Sequence, residues 1–560
     1  MVGYEKTSTL AAGASEVVTV TVPGKEFASY DSNNAKTYVL TSGDYYLTIG
    51  NGAHDAVNNI LAAQGYTSGS KLVGTGNADL AKVALSQKNV DKTTYSTAVT
   101  GEKITNLFDD SDLNKYSETK STGVTYINRS NWEGTVVLDP LDNNTNYTKI
   151  TMTQNMLNDF RSGWDGSMLK EDDVAYPTYG QSAGLNLIDM RVDSDGNEIP
   201  YDSEIWDTFM DQLTWDDTVS LLSEGMRMTA GLESIGKPAT LDHNGPLGVT
   251  QNYASGVNGL AYKNGVDSSE KSSTFPCMFI FAGSFNKDLE TRVGENYGEN
   301  CLWAGYSGLY GPGMNIHRSQ YSCRNAEYYS EDGFLSGVTA AHQIKGIQSK
   351  GVYVYIKHFA LNDQETHRYG LSTWLNEQSF REIYLKPFEI SIQEGGAHAM
   401  MSSYNRVGTK VAAVSSNLVT DWLRGEQGFD GFVVTDMYQT STYYSLTFYM
   451  GMVQMPAAVL SGNDLVDGSI TSAGQFDAYK TGYGELANAM RTSCKRILYT
   501  CVHSSAMNGW SSTTKLVKVQ TSWQIGLLAS EITLGILAAA SLGFFGYCFY
   551  DKNLKKKKED

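Results

Sequence analysis

Gly428-Phe429-Asp430-Gly431-Phe432-Val433-Val434-Thr435-Asp436-Met437 is the stretch whose reading decides the fold. Phe432 to Val434 form a short apolar run behind a glycine, the pattern of a strand buried on both faces. The run stops abruptly at Thr435 and Asp436. A carboxylate at a strand end without a local partner is costly to bury unless a site uses it. Taken alone, Asp436 serves a turn or a helix cap equally well.

Outward from this stretch, helical patterns and short apolar segments alternate from about residue 204. Strands are predicted at Pro238–Leu241, Cys277–Ala282, Tyr310–Ile316, Val352–Ile356, Ala399–Ser402 and Phe432–Thr435, with a weaker one at Val459–Leu465. Helices are predicted at Phe334–Ile347, Gln378–Gln393 and Asn417–Arg424. Repeated β-α units over a length of about 300 residues predict an α/β architecture, a (β/α)8 TIM-like barrel. An open doubly wound sheet is the alternative. No Gly-x-Gly-x-x-Gly follows a strand, which argues against a dinucleotide.

In a barrel the chemistry gathers where strands end. The first strand runs into Asp242-His243-Asn244, the third into His317-Arg318 and then Cys323-Arg324-Asn325. The fourth ends in Lys357-His358-Phe359, the fifth in Ser403-Tyr404-Asn405 and the sixth in Thr435-Asp436. Each residue alone has an ordinary structural use. Together they make a dense array of donors and acceptors suited to a polyhydroxylated ligand. There is no phosphate-cradling loop and no His-Glu-x-x-His, so neither a metal nor a cofactor is expected. Asp193-Ser194-Asp195-Gly196-Asn197 resembles a calcium loop only superficially, because its glycine is misplaced, and reads as a solvated turn.

Gly311-Pro-Gly-Met-Asn-Ile-His-Arg318, Cys323-Arg-Asn-Ala-Glu-Tyr-Tyr-Ser-Glu-Asp332, Lys357-His-Phe-Ala-Leu-Asn-Asp-Gln-Glu365, Met401-Ser-Ser-Tyr-Asn-Arg-Val407 and the 428–436 stretch resemble glycoside hydrolase family 3. The resemblance covers about 204 to 508. It implies an exo-acting, retaining β-glucosidase-like hydrolase acting on a β-linked oligosaccharide or glycoside. Asp436 would be the nucleophile that forms a glycosyl-enzyme, with a second carboxyl as acid and then base. Arg324, Lys357 and His358 match residues that hold sugar hydroxyls, and Tyr404 matches one beside the nucleophile. These cations are expected to keep Asp436 ionised. The N-terminal strands resemble the latter part of a fibronectin type III-like domain, in the order of the permuted subgroup. Residues 45 to 65 and 125 to 135 are similar to that subgroup's connector.

Three departures follow from the same resemblance. The family's Asp-Gly-Pro is Asn244-Gly245-Pro246 here, unless Asp242 substitutes for the missing acid. The usual Trp after the nucleophile is Met437. The acid/base Glu has no counterpart, because the α/β sandwich domain that carries it is missing, and Lys357 to Asn362 is not the Lys-His-Phe-Pro-Gly-His-Gly loop of the histidine-using subset. Loss of a proton donor removes on the order of 10²- to 10⁴-fold in rate. A separate or cleaved α/β sandwich domain is therefore a candidate partner, and a non-catalytic carbohydrate-binding surface protein is the alternative function.

The domain organisation expected is a partial fibronectin type III-like β-domain at 1–50, a loop-rich connector at 51–203, the barrel at 204–508, a transmembrane anchor at 523–550 and a basic cytoplasmic tail at 551–560. Strand alternation marks Val17–Val22, Tyr38–Leu40 and Tyr45–Ile49, and an amphipathic helix is predicted over Ala53–Gly65. Ile532 to Tyr550 is a 19-residue apolar run, about 28 Å as a helix, enough to cross a bilayer. Trp523, Tyr547 and Tyr550 suit the interfaces, and Lys552 with Lys555–Lys558 suit the cytoplasmic side. The catalytic part would then be extracellular on a single-pass cell-membrane protein. A net charge of −18 over 560 residues excludes the basic face that nucleic acid requires. Six scattered cysteines match no zinc spacing.

Overall fold

A computed structural model describes residues 1–69, 72–117, 124, 126, 152–162, 168–249, 274–320, 322–366, 368, 371–437, 454–468, 470–517 and 522–559. Near the N-terminus, β1 (Ser29–Asp31) pairs with β2 (Thr37–Val39), and β3 (Gly43–Thr48) pairs with β4 (Ala81–Gln87), both antiparallel. The helix Ala53–Ala63 lies where its apolar spacing predicts. Val17–Val22 is not a strand, and Val17, Val18 and Val20 stay exposed. Alternation alone does not make a strand without a neighbour to receive its hydrogen bonds. β4 falls inside the stretch expected to be loops. Apart from Tyr126, the connector-like residues 125–135 lie outside the described residues.

The parallel sheet comprises β5 (Asp242–Asn244), β6 (Gly308–Tyr310), β7 (Tyr353–Phe359), β9 (Ala399–Ser402) and β12 (Phe432–Thr435), side by side in that order. A small separate sheet holds β8 (Ser372–Thr373), β10 (Arg406–Val407) and β11 (Lys410–Val411). Beyond β12, Leu465 bridges Val434 in parallel register. Val466 N–H then donates to Leu222 O at 3.2 Å, and Asp242 N–H donates to Arg227 O at 2.8 Å. Residues 222–229 thus span the gap between Leu465–Asp467 and β5, and the ring closes. Among the described residues it has five strands and two irregular segments where eight strands were expected. A TIM-barrel-like ring is retained because hydrogen bonds, not strand labels, complete it.

Several predicted boundaries move for physical reasons. Cys277–Ala282 is not a strand: Met278–Ala282 is a helical turn with Met278, Phe281 and Ala282 buried and Phe279 and Ile280 outside. A short apolar run fits either period, and burial decided for the helical one. The first strand begins at Asp242 because Thr240 N–H is taken by Thr229 O. The third ends at Tyr310, where Gly311-Pro312 interrupts it. Val459–Leu465 divides into the helix Met455–Leu460 and the single bridge at Leu465. Helices Gly333–Gln348, Lys386–Gln393 and Asn417–Glu426 lie where the periodicity predicts, the last wound as π-turns.

Helix Gly333–Gln348 starts on Asp332, whose side chain accepts Leu335 N–H at 2.8 Å. It packs so closely on helix Lys287–Ala304 that a Cβ at Gly294 would stand 2.1 Å from Gln343 O. Only glycine permits that approach. Inside the ring, Tyr353 and Tyr355 of β7 reach Asp242 of β5 and the ring of Phe432 of β12. None of these strand pairs is adjacent, so the contacts cross the interior. Period-two alternation then places Asn244, Lys357 and Asp436 on the same inner face, one layer nearer the strand ends.

Two further features position this barrel. Arg381, 1% exposed, bonds Glu377, Glu426 and Thr105 O, and lies over the Tyr30 ring of β1. The N-terminal β-layer is thereby pinned to the barrel wall. At the far end Ser522–Glu559 is one continuous helix. Its Ser522–Lys558 portion is long and apolar enough to cross a membrane, and its apolar window is unburied.

Candidate active site

A cavity of about 430 Å³ opens at the strand ends, walled by Asn244, Pro246, Leu247, Arg324, Glu327 and Lys357 among others. β5 delivers Asn244 and β7 delivers Lys357, while Arg324 and Glu327 come from the helical turn Cys323–Glu327. Arg324 grips Glu327 in a fork, Nε to Oε1 at 2.6 Å and Nη2 to Oε2 at 2.9 Å. Lys357 Nζ sits 3.4 Å from Asn244 Oδ1 and 3.7 Å from Glu327 Oε2. Burial pushes the Glu327 carboxyl up, but Lys357 and Arg324 outweigh it and hold the group below the usual carboxylate range. Burial lowers Lys357. The wall therefore carries two cations, one carboxylate and one neutral amide, a set of donors and acceptors suited to hydroxyls.

His358 follows Lys357 and is fully enclosed. Arg324 Nη2 stands 3.1 Å from its Nε2, and the Tyr328 hydroxyl 3.0 Å from its Nδ1. A guanidinium only donates, so Nε2 accepts and Nδ1 carries the proton. Burial, then Arg324, Lys357 and Arg368, hold His358 well below its ordinary range. It is a neutral, fixed acceptor.

Asp436 lies just past β12, its N–H donated to Ser402 O at 3.0 Å. Its Oδ1 accepts Met437 N–H at 2.8 Å. Its Oδ2 is buried without a hydrogen-bond partner, 3.8 Å from His358 Nε2. That contact joins two acceptors and is not an ion pair. Burial raises the Asp436 carboxyl, and Arg368, the Met437 N–H, Arg324 and Lys357 only partly offset it. The cations expected to keep Asp436 ionised do favour its charged form, but desolvation is the larger effect and sets its carboxyl above the ordinary range.

Tyr404 and Met437 complete this side: the Tyr404 hydroxyl donates to Met437 O, and Arg368 lies 4.8 Å over the Tyr404 ring. Asp242 sits elsewhere. It is 0% exposed, receives the Tyr353 and Tyr355 hydroxyls at 2.7 and 2.5 Å, and does not wall the cavity. It therefore does not take over from the acid that Asn244 replaces. Asn244, Arg324 and Lys357 share the cavity wall, and His358 joins them to Asp436. Asp436, Tyr404 and Met437 adjoin His358 and are not among the residues that line the cavity.

The sequence reading missed Glu327, Glu365, Arg368 and Asp467. Glu365 bridges Arg324 at 3.3 Å and Arg368 at 3.2 Å, tying the wall to the Tyr404 side. Glu327 and Glu365 were inside quoted stretches, so their signal was present. Arg368 and Asp467 carried none, being placed by tertiary contacts alone. Asp193 accepts the backbone N–H of Asp195 and of Asn197 at 2.9 Å each, as a turn aspartate does.

Residues 261–466 match the glycosyl hydrolase family 3 N-terminal domain, and residues 1–53 match the fibronectin type III-like domain. The chain thus carries the N-terminal domain of glycoside hydrolase family 3 and is similar to β-glucosidases. β-Glucosidase A of Butyrivibrio fibrisolvens is 29% identical to this chain over 473 residues, 83% of the chain and 48% of the relative. An exo-α-(1→6)-L-arabinopyranosidase of Bifidobacterium longum is 34% identical over 286 residues, 50% of the chain and 37% of the relative. The solved β-glucosidase of Paenibacillus barengoltzii has the same fold, with a TM-score of 0.58 at 22% identity over 90% of this chain and 49% of that one. The chain spans about half or less of the length of these curated relatives.

Proposed function

We propose that this chain is the barrel-bearing part of an exo-acting, retaining β-glycosidase that takes the non-reducing end of a β-linked oligosaccharide or glycoside. The unpartnered Asp436 Oδ2 carries this reading, since it lies beside a hydroxyl-binding wall with His358 locked as an acceptor next to it. Asp436 attacks the anomeric carbon, and Arg324, Lys357 and Asn244 hold the sugar's hydroxyls, with Glu327 keeping Arg324 aligned. A second carboxyl serves as acid and then base on the leaving group. Incubation with an activated 2-fluoro glycoside should add one sugar mass at Asp436, because a good leaving group needs little acid help. Absence of any adduct across several sugars would sink the assignment and favour the sugar-binding alternative, which Asn244 and Met437 support.

The helix Ser522–Glu559 serves, in this reading, as a single-pass anchor, with the barrel outside the cell and Lys555–Lys558 inside. Alkaline carbonate washing of membranes should leave the full chain in the pellet and release a chain ending near residue 517. Release of both would refute the anchor.

A further inference from the structure

Val434 and Leu465 are bridged in parallel register, with Thr435 N–H donated to Leu465 O and Leu465 N–H to Val433 O, both at 2.9 Å. Two residues further along each segment stand Asp436 and Asp467. Alternation keeps both on the side of Val434 and Leu465, facing the interior of the ring. Asp467 N–H donates to Thr435 Oγ1 at 3.1 Å, which holds the second segment against the end of the first. The chain thus sets a partly buried and a buried carboxyl next to each other at the barrel mouth.

Their surroundings differ. Asp436 faces Arg368, Arg324 and Lys357 and accepts the Met437 N–H, with neutral His358 beside it. Asp467 is 2% exposed and accepts the Arg227 N–H at 3.1 Å. Arg227's guanidinium, 3.3 Å from His243 Nε2, is the one cation that favours the Asp467 charge, and Asp242 opposes it from below. Two adjacent carboxyls in low dielectric do not both ionise readily, and the one with more cations takes the charge.

We propose that Asp467 is a positioning residue that retains the single proton of an Asp436–Asp467 pair, so that Asp436 is the ionised member poised to attack. Burial, and then the charge of Asp436, push the Asp467 carboxyl up to about 7, in keeping with this arrangement. The inference rests on the reading of Asp436 as nucleophile, but the pairing itself is testable without a sugar. The proton stays on Asp467 throughout and is not passed to a leaving group, because both carboxyls lie on one side of the site.

The test uses the full chain in detergent, as wild type, Asp467→Asn and Asp436→Asn. Infrared difference spectra across about pH 5 to 9 read the carbonyl band of protonated carboxyls. Asp242, Asp363 and Glu290 are raised into the same range and contribute to every spectrum, so the Asp467 band is the wild-type minus Asp467→Asn component. It should be lost near neutral pH and be shifted down by about one pH unit or more in Asp436→Asn, where the neighbouring charge is gone. An unshifted band in Asp436→Asn overturns the pairing. The rate of labelling by the activated 2-fluoro glycoside should fall above neutral pH in wild type. It should stay level within about twofold in Asp467→Asn, whose amide is a neutral donor at every pH. A persistent alkaline fall in that variant also overturns the proposal. Failure of wild type to label refutes the nucleophile instead, and the infrared arm still judges the pair.

Discussion

Asp242 and Asp436 are aspartates facing the inside of one barrel, the first buried and the second partly exposed, and they differ in what surrounds them. Asp242, in the lower layer, accepts two tyrosine hydroxyls and one more side of it is closed by Gly308, where a Cβ would stand 2.7 Å from its carboxylate. Asp436, one layer up, has an oxygen with no partner and cations around it. The first is a structural group whose acceptor capacity is used. The second keeps capacity free for something that arrives from outside. Glu290 sharpens the contrast: both its oxygens lack hydrogen-bond partners, yet burial dominates it, with only Ser284 opposing. An orphaned acid becomes reactive only where cations keep its charged form within reach.

The largest expected effect tests the upper aspartate. Asp436→Asn should reduce labelling by at least about 10³-fold while leaving sugar binding measurable. Undiminished labelling would show that another residue is the nucleophile. Its thermal unfolding should stay at or above that of wild type, since a raised, buried carboxyl is replaced by a neutral group.

Next in size is the lower aspartate. Asp242→Ala leaves the Tyr353 and Tyr355 hydroxyls unpaired in the interior and should cost about 2–4 kcal/mol in urea unfolding. A loss below about 0.5 kcal/mol would mean that the tyrosines find other partners. The pH dependence follows from burial, which pushes the Asp242 carboxyl up to about 6 despite the tyrosine donors. The unfolded chain ionises it near 3.9. Its contribution is therefore complete below that value and declines as pH rises through about 6. Asp242→Asn should remove that slope.

The smallest effect concerns Glu290, which burial pushes up to about 8. Its stabilisation is present in acid and is lost as pH climbs from the unfolded value near 4.3 toward about 8. Glu290→Gln should raise stability at neutral pH by about 1–3 kcal/mol without altering labelling of Asp436. A change in labelling would place Glu290 in the site after all.

Much of the barrel was legible because parallel strands buried on both faces leave unbroken apolar runs. β7, β9 and β12 appeared within a residue or three of their predicted bounds. Cys277–Ala282 misled, since six apolar residues fit a helical turn as well as a strand and only burial distinguishes them. Val17–Val22 misled for the opposite reason, having the right alternation but no strand pairing, although Gly3 packs against Val20. In the site, Arg324, Lys357, His358 and Asp436 were legible as strand-end residues, whereas Asp242 looked equivalent and is not. One pleat separates it from Asn244's layer, and nothing local in Leu-Asp-His-Asn states which layer reaches the cavity.

The residues themselves determined which groups exist to do chemistry: a carboxylate at the end of a buried strand, basic and hydroxyl donors at the ends of others, and an apolar helix at the far terminus. Strand periodicity is a local property, so it can be read from neighbours in the chain. Only the closed ring decided that Asp436 stands beside Asp467, that Arg324 fixes the tautomer of His358, and that Asp242 is spent on two tyrosines. Those outcomes depend on register between segments tens to hundreds of residues apart, and register is settled by packing and hydrogen-bond closure across the whole barrel.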